Sequence, residues 1–269
     1  MYSFTYHRPT TLRQALNLLA KNEEAKLLAG GHTLLPTMKL RLASPKHIID
    51  MSSVEGMSGI EASARALVIG ALTHHVDVAT SPVVLEKLPA LADLAGRIGD
   101  PAVRHKGTIG GSVANNDPSA DYPAAVLGLG ATVITNKRRI EADEFFKGLF
   151  ETALEDGEII TKVQFPLVQK AAYQKFPNPA SRYALVGVFV SKRSTENRVA
   201  VTGAGSNGVF RVKEFEEALK KRFSPKSLEG LSVKPDGMIS DIHGSAEYRA
   251  HLIGVLARRA VAAATAKGE

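Results

Sequence analysis

Thr108-Ile109-Gly110-Gly111-Ser112-Val113-Ala114-Asn115-Asn116-Asp117-Pro118-Ser119-Ala120-Asp121-Tyr122-Pro123 is the stretch on which the reading of this chain turns. Gly110 and Gly111 carry no Cβ, so the backbone there can turn its N–H groups outward and admit a ligand closely. Thr108 and Ser112 bracket the pair with hydroxyls, and Asp117 and Asp121 follow as acceptors suited to diols. The stretch reads as a loop, a cradle of amides followed by acceptors. A shorter counterpart, Ala29-Gly30-Gly31-His32-Thr33, follows the apolar Leu27-Leu28. Two such turns predict two walls of one extended site. Backbone donors can meet the charges of a diphosphate without Lys or Arg. A nucleotide-type ligand and a pair of ordinary surface turns both satisfy this spacing.

The chain around these turns has 269 residues, 44% of them hydrophobic, enough to core two or three domains. Lys and Arg total 34 against 27 Asp and Glu, a formal charge of +7 that permits an acidic partner. The cations are dispersed. Their densest groups, Lys137-Arg138-Arg139, Lys220-Lys221-Arg222 and Arg258-Arg259, are short, so no nucleic-acid stripe is expected. The absence of cysteine excludes disulfides, thiolate zinc sites, a cysteine nucleophile and any cysteine-held iron–sulfur cluster carried by this chain alone. Met1-Tyr2-Ser3-Phe4 has neither the basic nor the apolar region of a signal peptide, and no apolar run reaches the ~18 residues of a membrane span. The expectation is a cytoplasmic protein with no transmembrane segment.

Taken in order, the chain opens with a strand over 2–7, a helix through Lys21 carrying Leu12, Leu16 and Leu19 on one face, a strand over 25–28, a short helix over 34–42 and a strand over 47–50. This is a β-α-β unit with the glycine turn at the exit of its inner strand. A polar link over 52–60 leads to the strand 67–70 and a helical region punctuated by Pro82 and Pro89. After the principal stretch come a helix over 123–129 and strands over 131–135 and 158–165. From Tyr173 onward the pattern alternates like antiparallel strands, at 183–191, 199–202 and 209–212. Helices follow over 214–221 and 246–264, the second with Ser245 as its N-cap.

Other constellations lose on spacing. Gly203-Ala204-Gly205-Ser206-Asn207-Gly208 is a literal G-x-G-x-x-G, yet another strand follows it instead of a helix, which predicts a hairpin turn. His74 and His75 are adjacent with Asp77 near, but neighbours on a helix diverge and no third ligand is spaced to join them, so no metal site is predicted. One of these histidines is expected to cap a helix start or to bond a ligand. No nucleophile-elbow or Walker sequence occurs.

The sequence resembles a known family. Ala29 to Lys39, reading Ala-Gly-Gly-His-Thr-Leu-Leu-Pro-Thr-Met-Lys, and Thr108-Ile109-Gly110-Gly111 with Asp117-Pro118 and Asp121, look like the paired FAD-binding motifs of the molybdenum hydroxylase (xanthine oxidase) flavoproteins. The likeness is greatest to the medium subunit of aerobic carbon monoxide dehydrogenase and its aldehyde and N-heterocycle dehydrogenase relatives. It runs nearly end to end, through Phe4-x-Tyr6-His7-Arg8-Pro9, Asp100-Pro101-x-Val103-Arg104, Ala246-Glu247-Tyr248-Arg249 and Arg258-Arg259-Ala260.

The resemblance implies an α+β chain: a p-cresol-methylhydroxylase-type FAD fold of two subdomains, 1–55 and 56–168, then a sheet-plus-helices domain, 169–269. It implies that Lys26, Leu28, Ala29, Gly30, Gly31, His32, Thr33 and Leu34, with Gly107, Thr108, Ile109, Gly110, Gly111 and Ser112, wrap the FAD diphosphate. Asn115, Asp117 and Asp121 would hold polyol hydroxyls, and His75 would bond the cofactor. Ile98, Gly99 and Val103 would line the adenine or flavin approach, Lys175 would contact the cofactor, and Tyr183 would lie near the isoalloxazine ring. The segment Phe176 to Arg182 departs from the family, being proline-rich where relatives are basic and glycine-bearing, which leaves its conformation open.

The implied function is an electron-transfer subunit needing no catalytic acid or base of its own. A small subunit would carry [2Fe–2S] clusters and a large one the molybdenum cofactor, in a heterotrimer that pairs into a dimer of heterotrimers. Two alternatives stay open: a free-standing flavin oxidoreductase of the same fold, and a basic binding module without cofactor.

Overall fold

The computed structural model describes residues 1–266. The chain builds three main sheets in sequence order. β1 (Thr5–His7), α1 (Leu12–Lys21), β2 (Ala25–Leu28), α2 (Leu34–Lys39) and β3 (His47–Asp50) form the first, a parallel sheet of strand order β1-β3-β2. Ile48 and Ile49 are both buried, and a continuous apolar run suits a strand covered on both sides, so β3 takes the centre. Tyr6 and Lys26 both stand in register with Ile48. β2 is therefore an edge strand, not the inner one the sequence implied. The first glycine turn leaves its carboxyl end, the end at which open parallel sheets hold ligands.

The second unit runs through β4 (Ile60–Ala62) and β5 (Ala66–Gly70), then the short helices α3 (His75–Thr80), α4 (Pro82–Lys87), α5 (Pro89–Gly96), α6 (Pro101–Arg104) and α7 (Ile109–Asn115). Helices α4, α5 and α6 each open on proline, where the missing N–H costs nothing. α8 (Tyr122–Leu129), β6 (Thr132–Thr135), β7 (Arg139–Glu141), α9 (Ala142–Phe145), the ribbon β8 (Phe146–Gly148) with β9 (Glu151–Thr152), and β10 (Ile160–Pro166) complete it. Its sheet is antiparallel, ordered β4-β5-β10-β6-β7, with Val163 opposite both Ile69 and Val133.

The principal stretch is not the loop its composition predicts, because 109–115 is helical. Thr108 Oγ1 accepts the Gly111 N–H at 3.2 Å, and Asn116 closes the helix in the left-handed region at φ 44°. Two glycines weaken a helix intrinsically. Here packing overrides that preference: a Cβ on Gly110 would lie 2.7 Å from the Ala71 carbonyl oxygen, so only glycine lets the helix sit against that chain.

β11 (Lys170–Pro177), β12 (Ala184–Lys192), β13 (Asn197–Thr202) and β14 (Phe210–Arg211) form the third sheet in that order, antiparallel, with α10 (Lys213–Lys221) and α11 (Ala246–Thr265). The G-x-G-x-x-G lies in the turn between β13 and β14, with Gly203 and Gly208 at positive φ, a hairpin connection as its sequence context predicted. Every residue of α8 is buried, and the helix packs on β12 and β13 as well as on β10. β12 divides its faces by period two. Val186, Val188 and Val190 join the core beneath α11, while Phe189 and the Ser191 hydroxyl turn to α8, where Ser191 Oγ donates to Gly128 O at 2.6 Å. Each of these buried valines, and Phe189, stabilises by about 1.5–3 kcal/mol over leaving it exposed.

Candidate functional site

The two glycine bends meet. A Cβ on Gly30 would lie 2.3 Å from Lys106 O and 2.6 Å from Gly107 Cα, because another main chain crosses there. On Gly107 it would lie 2.4 Å from His75 Nε2. Gly30, Gly107 and Gly110 are thus glycines so that protein can approach, where the sequence reading had supposed a ligand. The consequence is that both bends are locked into one wall. Gly31 has a different reason: its φ of 76° is the left-handed region that other residues resist.

The two bends differ in what their amides do. In the second, Ile109 N–H donates to Thr73 O at 3.1 Å and Gly110 N–H to Ala71 O at 2.8 Å, while Thr108 takes those of Gly111 and Ser112. These donors are spent inside the fold. In the first, the main-chain hydrogen bonds of the described residues include none donated by positions 29 to 34, six consecutive N–H groups. Leu35 N–H is the first to find a partner, Gly31 O, at 3.1 Å. A turn with six unengaged donors and one positive-φ glycine has the chemistry to receive an anion. The expected pair of presenting bends is corrected to one that presents and one that supports.

Asp121 is not a free acceptor either. Tyr173 Oη donates to its Oδ1 at 2.6 Å, and Lys175 Nζ lies 2.9 Å from the carboxylate and donates to Arg97 O at 3.1 Å. Burial pushes the Asp121 carboxyl upward, and the Lys175 charge opposes that rise. Burial and the same carboxylate raise the Tyr173 phenol. Asp121, Tyr173 and Lys175 are therefore one buried cluster rather than three separate contacts. Tyr173 escaped the sequence reading, although residues two apart on a strand share a face and Lys175 was already marked.

The turn Ile98-Gly99 is held by Arg104, whose Nη1 donates to Ile98 O at 3.0 Å and Gly99 O at 3.2 Å. Gly99, at φ 50°, packs on Val103, and Asp100 Oδ1 accepts the Val103 N–H at 3.0 Å. Asp117 turns its Oδ1 to Ser119 N–H at 2.8 Å, and burial raises its carboxyl. Asn115 and Ser112 are half-buried, as are Leu28 and Leu34, whereas Lys26, His32 and Thr33 are exposed. Tyr183 leaves the proline-rich segment from a self-closed turn in which Asn178 N–H donates to Tyr183 O at 2.8 Å and Arg182 N–H to Asn178 O at 2.9 Å. Its phenol is raised by partial burial and by the negative charges of Asp117 and Asp121.

The histidines separate. His74 precedes α3 without capping it through its side chain and lies 3.4 Å from Asp77. His75 caps nothing. It is buried, its ring stands 5.3 Å from that of Tyr122, and burial with the nearby His32 and His74 holds it down to about 3. Its Nδ1 finds no partner among the described residues, and neither does Tyr122 Oη.

Residues 2–168 match the family described as the FAD binding domain in molybdopterin dehydrogenase. The chain belongs to this family. It is 34% identical to the carbon monoxide dehydrogenase medium chain of Hydrogenophaga pseudoflava, across 98% of both. It is 36% identical to the nicotine 6-hydroxylase medium subunit of Paenarthrobacter nicotinovorans, across 97% of both. Its fold matches the solved carbon monoxide dehydrogenase from Hydrogenophaga pseudoflava with a TM-score of 0.88 at 33% identity, over 98% of this chain and 97% of that one. The flavoprotein is a medium, FAD-binding oxidoreductase subunit of molybdenum hydroxylase type, with the α+β fold class expected from its sequence. No helix among its described residues is long and apolar enough to cross a membrane.

Proposed function

We propose that this chain is the FAD-carrying electron-transfer subunit of a heterotrimeric molybdenum hydroxylase. It accepts electrons from [2Fe–2S] clusters on a small subunit and passes them to an external acceptor. A large molybdenum-bearing subunit oxidises the substrate: carbon monoxide, an aldehyde or an N-heterocycle. The observation that carries this reading is the run of six unengaged N–H groups from Ala29 to Leu34, locked against the second bend. Such a run fits a diphosphate, which brings acceptors and negative charge to donors the fold leaves unpaired.

Bound FAD supplies the redox chemistry that no side chain of this chain possesses. The residues have the work of holding and orienting. Ala29 to Leu34 offer the amides, with Lys26 and Leu28 on the strand before them, and Gly107 to Ser112 form the wall that fixes them. Asn115 and Asp117 stand where polyol hydroxyls would be met, and Ile98, Gly99 and Val103 line the approach. Lys175 sets a positive charge whose position Asp121 and Tyr173 fix, and Tyr183 closes that end. His75 supports Gly107 from beneath.

The test is Gly31→Val. A β-branched residue at φ 76° distorts the turn that aims the amides, in a segment outside the main core. FAD content should fall by at least about tenfold with the far-ultraviolet circular dichroism retained. Unchanged FAD content removes the assignment. A yellow monomer that turns over substrate alone would instead favour a free-standing flavin oxidoreductase, and a colourless chain that FAD cannot reconstitute would favour the binding module.

A further inference from the structure

Two buried side chains beneath the glycine junction carry polar atoms that the fold does not engage. His75 opens α3, where its N–H donates to Gly107 O at 3.0 Å and the Nε2 edge of its ring lies against the same glycine. The two nitrogens of an imidazole point apart, so Nδ1 is directed away from Gly107. Tyr122 stands in the first turn of α8, a helix whose residues are all buried, so its hydroxyl cannot reach bulk water as a tyrosine's ordinarily does. The two ring centres are 5.3 Å apart, yet Nδ1 and Oη bond neither each other nor any other described residue. A buried polar atom left unpaired is costly, and two of them on neighbouring rings call for one shared partner.

Charge and access decide what that partner is. A cation is disfavoured, because burial, and then His32, His74 and Arg104, already hold the imidazole neutral. An anion is disfavoured too: burial and the Asp121 carboxylate raise the Tyr122 phenol, which marks a place that resists negative charge. A group of the cofactor has no entry, since Tyr122 is wholly buried and Gly107, with Gly30 against it, closes the other edge of the His75 ring. What remains is a small neutral molecule able both to accept and to donate, which is the chemistry of water. The direction of donation follows. The phenol hydrogen has no other acceptor and goes to the water, and a water that then donates to Nδ1 leaves the imidazole proton on Nε2.

We infer that His75 Nδ1 and Tyr122 Oη hold one buried water, which ties the start of α3 to the first turn of α8 and fixes the imidazole as its Nε2–H tautomer. The consequence is positional. His75 carries Gly107 and, through it, the Gly30 bend, while Tyr122 follows Asp121, to which Lys175 is anchored. The water therefore joins the amide turn to the buried cation, the two ends of the proposed site. It does not depend on the cofactor, so it is tested on the cofactor-free full chain, and its failure leaves the proposed function standing.

The experiment compares wild type with Tyr122→Phe by urea unfolding and by NMR of isotope-labelled histidine, the His75 signal being assigned with His75→Leu. Wild type is also crystallised to look for density between the two atoms. Tyr122→Phe keeps the ring and removes only the hydroxyl. With the water in place this strands a buried hydrogen-bonding group, and the folded-to-unfolded ratio should fall by about tenfold. His75 should show a single Nε2–H tautomer in wild type and a mixture in the variant. If Oη has no partner, the substitution removes an unpaired buried donor, so the ratio rises and the His75 signal stays put, which overturns the inference. A wild-type imidazole protonated on Nδ1 overturns it as well, as does a crystal with no density between the atoms or with the two bonded directly. Should the variant fail to fold, the wild-type tautomer and density still decide the matter.

Discussion

Lys175 Nζ stands 2.9 Å from the carboxylate of Asp121, and neither side chain is more than 4% exposed. The two come from different layers, Lys175 from β11 of the third sheet and Asp121 from the entrance to α8. Each charge would be costly to bury alone, and each is the reason the other is tolerated. The pair therefore fastens the third sheet to the second unit as well as fixing a cation beside the proposed cofactor site.

Removing one partner should expose that dependence. Lys175→Met leaves the Asp121 carboxylate buried with only Tyr173 to bond it, and should cost about 3–5 kcal/mol. Lys175→Met/Asp121→Leu should recover much of that loss, because no uncompensated charge remains. Urea unfolding of the two variants against wild type measures both, and a double variant no more stable than the single would contradict the coupling.

The glycines should rank by what their missing Cβ would strike. Gly30→Ala drives a methyl into the Lys106 carbonyl at 2.3 Å, main chain that cannot move without separating the bends. A cost of about 1–3 kcal/mol with loss of FAD is expected. Gly111→Ala meets chiefly Thr108 Oγ1, at 2.9 Å, a side chain able to rotate at the expense of its cap, so its stability cost should be about 1 kcal/mol. Thermal unfolding paired with flavin content gives the order, and equal effects would refute it.

His75 should make the protein acid-sensitive in a defined window. Its folded value of about 3 lies below the ordinary 6.5, so as pH falls the unfolded chain takes up the proton first. Stability is therefore lost below 6.5, by up to ~1.4 kcal/mol per pH unit, until about 3 is reached. Glu158, held down to about 2 mainly by its hydrogen bonds to Arg138, contributes stability that is lost only as pH falls below 4.5. Between 6.5 and 4.5 Glu158 adds no slope to denaturant unfolding, so His75→Leu should flatten the slope there relative to wild type, the raised Asp117 and Asp121 carboxyls being common to both. Parallel slopes would mean that His75 does not titrate as its burial dictates.

Tyr183 offers a spectroscopic check on the closing turn. Its phenol lies above the ordinary 10.0, from partial burial and then from Asp117 and Asp121. Asp117→Asn should bring it back toward 10.0, followed by NMR of ring-labelled tyrosine in the cofactor-free chain. No movement would show that Asp117 does not face the ring.

Much of the fold was legible because short-range physics decides it. Ser245 caps the helix it was expected to cap, and Ala25–Leu28 and His47–Asp50 are strands as their apolar runs require. The reading failed where packing outvoted local preference. Gly110 and Gly111 argue for a loop in isolation, yet Ala71 and the Thr108 cap make 109–115 a helix. Strands as short as Ile60–Ala62 carry too few residues to show a period and exist only because β5 pairs with them.

The candidate site divides along the same line. Sequence alone determined that glycine turns, hydroxyls and carboxylates were present, because Gly31 and its neighbours are marked by backbone chemistry that needs no partner. Which amides remain open was decided by tertiary structure, since a donor is free only if no distant carbonyl reaches it, and Thr73 and Ala71 take amides of the second bend while no carbonyl among the described residues takes those of the first. The same holds for Asp121 and Lys175. Their types are written in the chain, but their union depends on two sheets being brought against one helix, and long-range contact leaves no local periodicity to read.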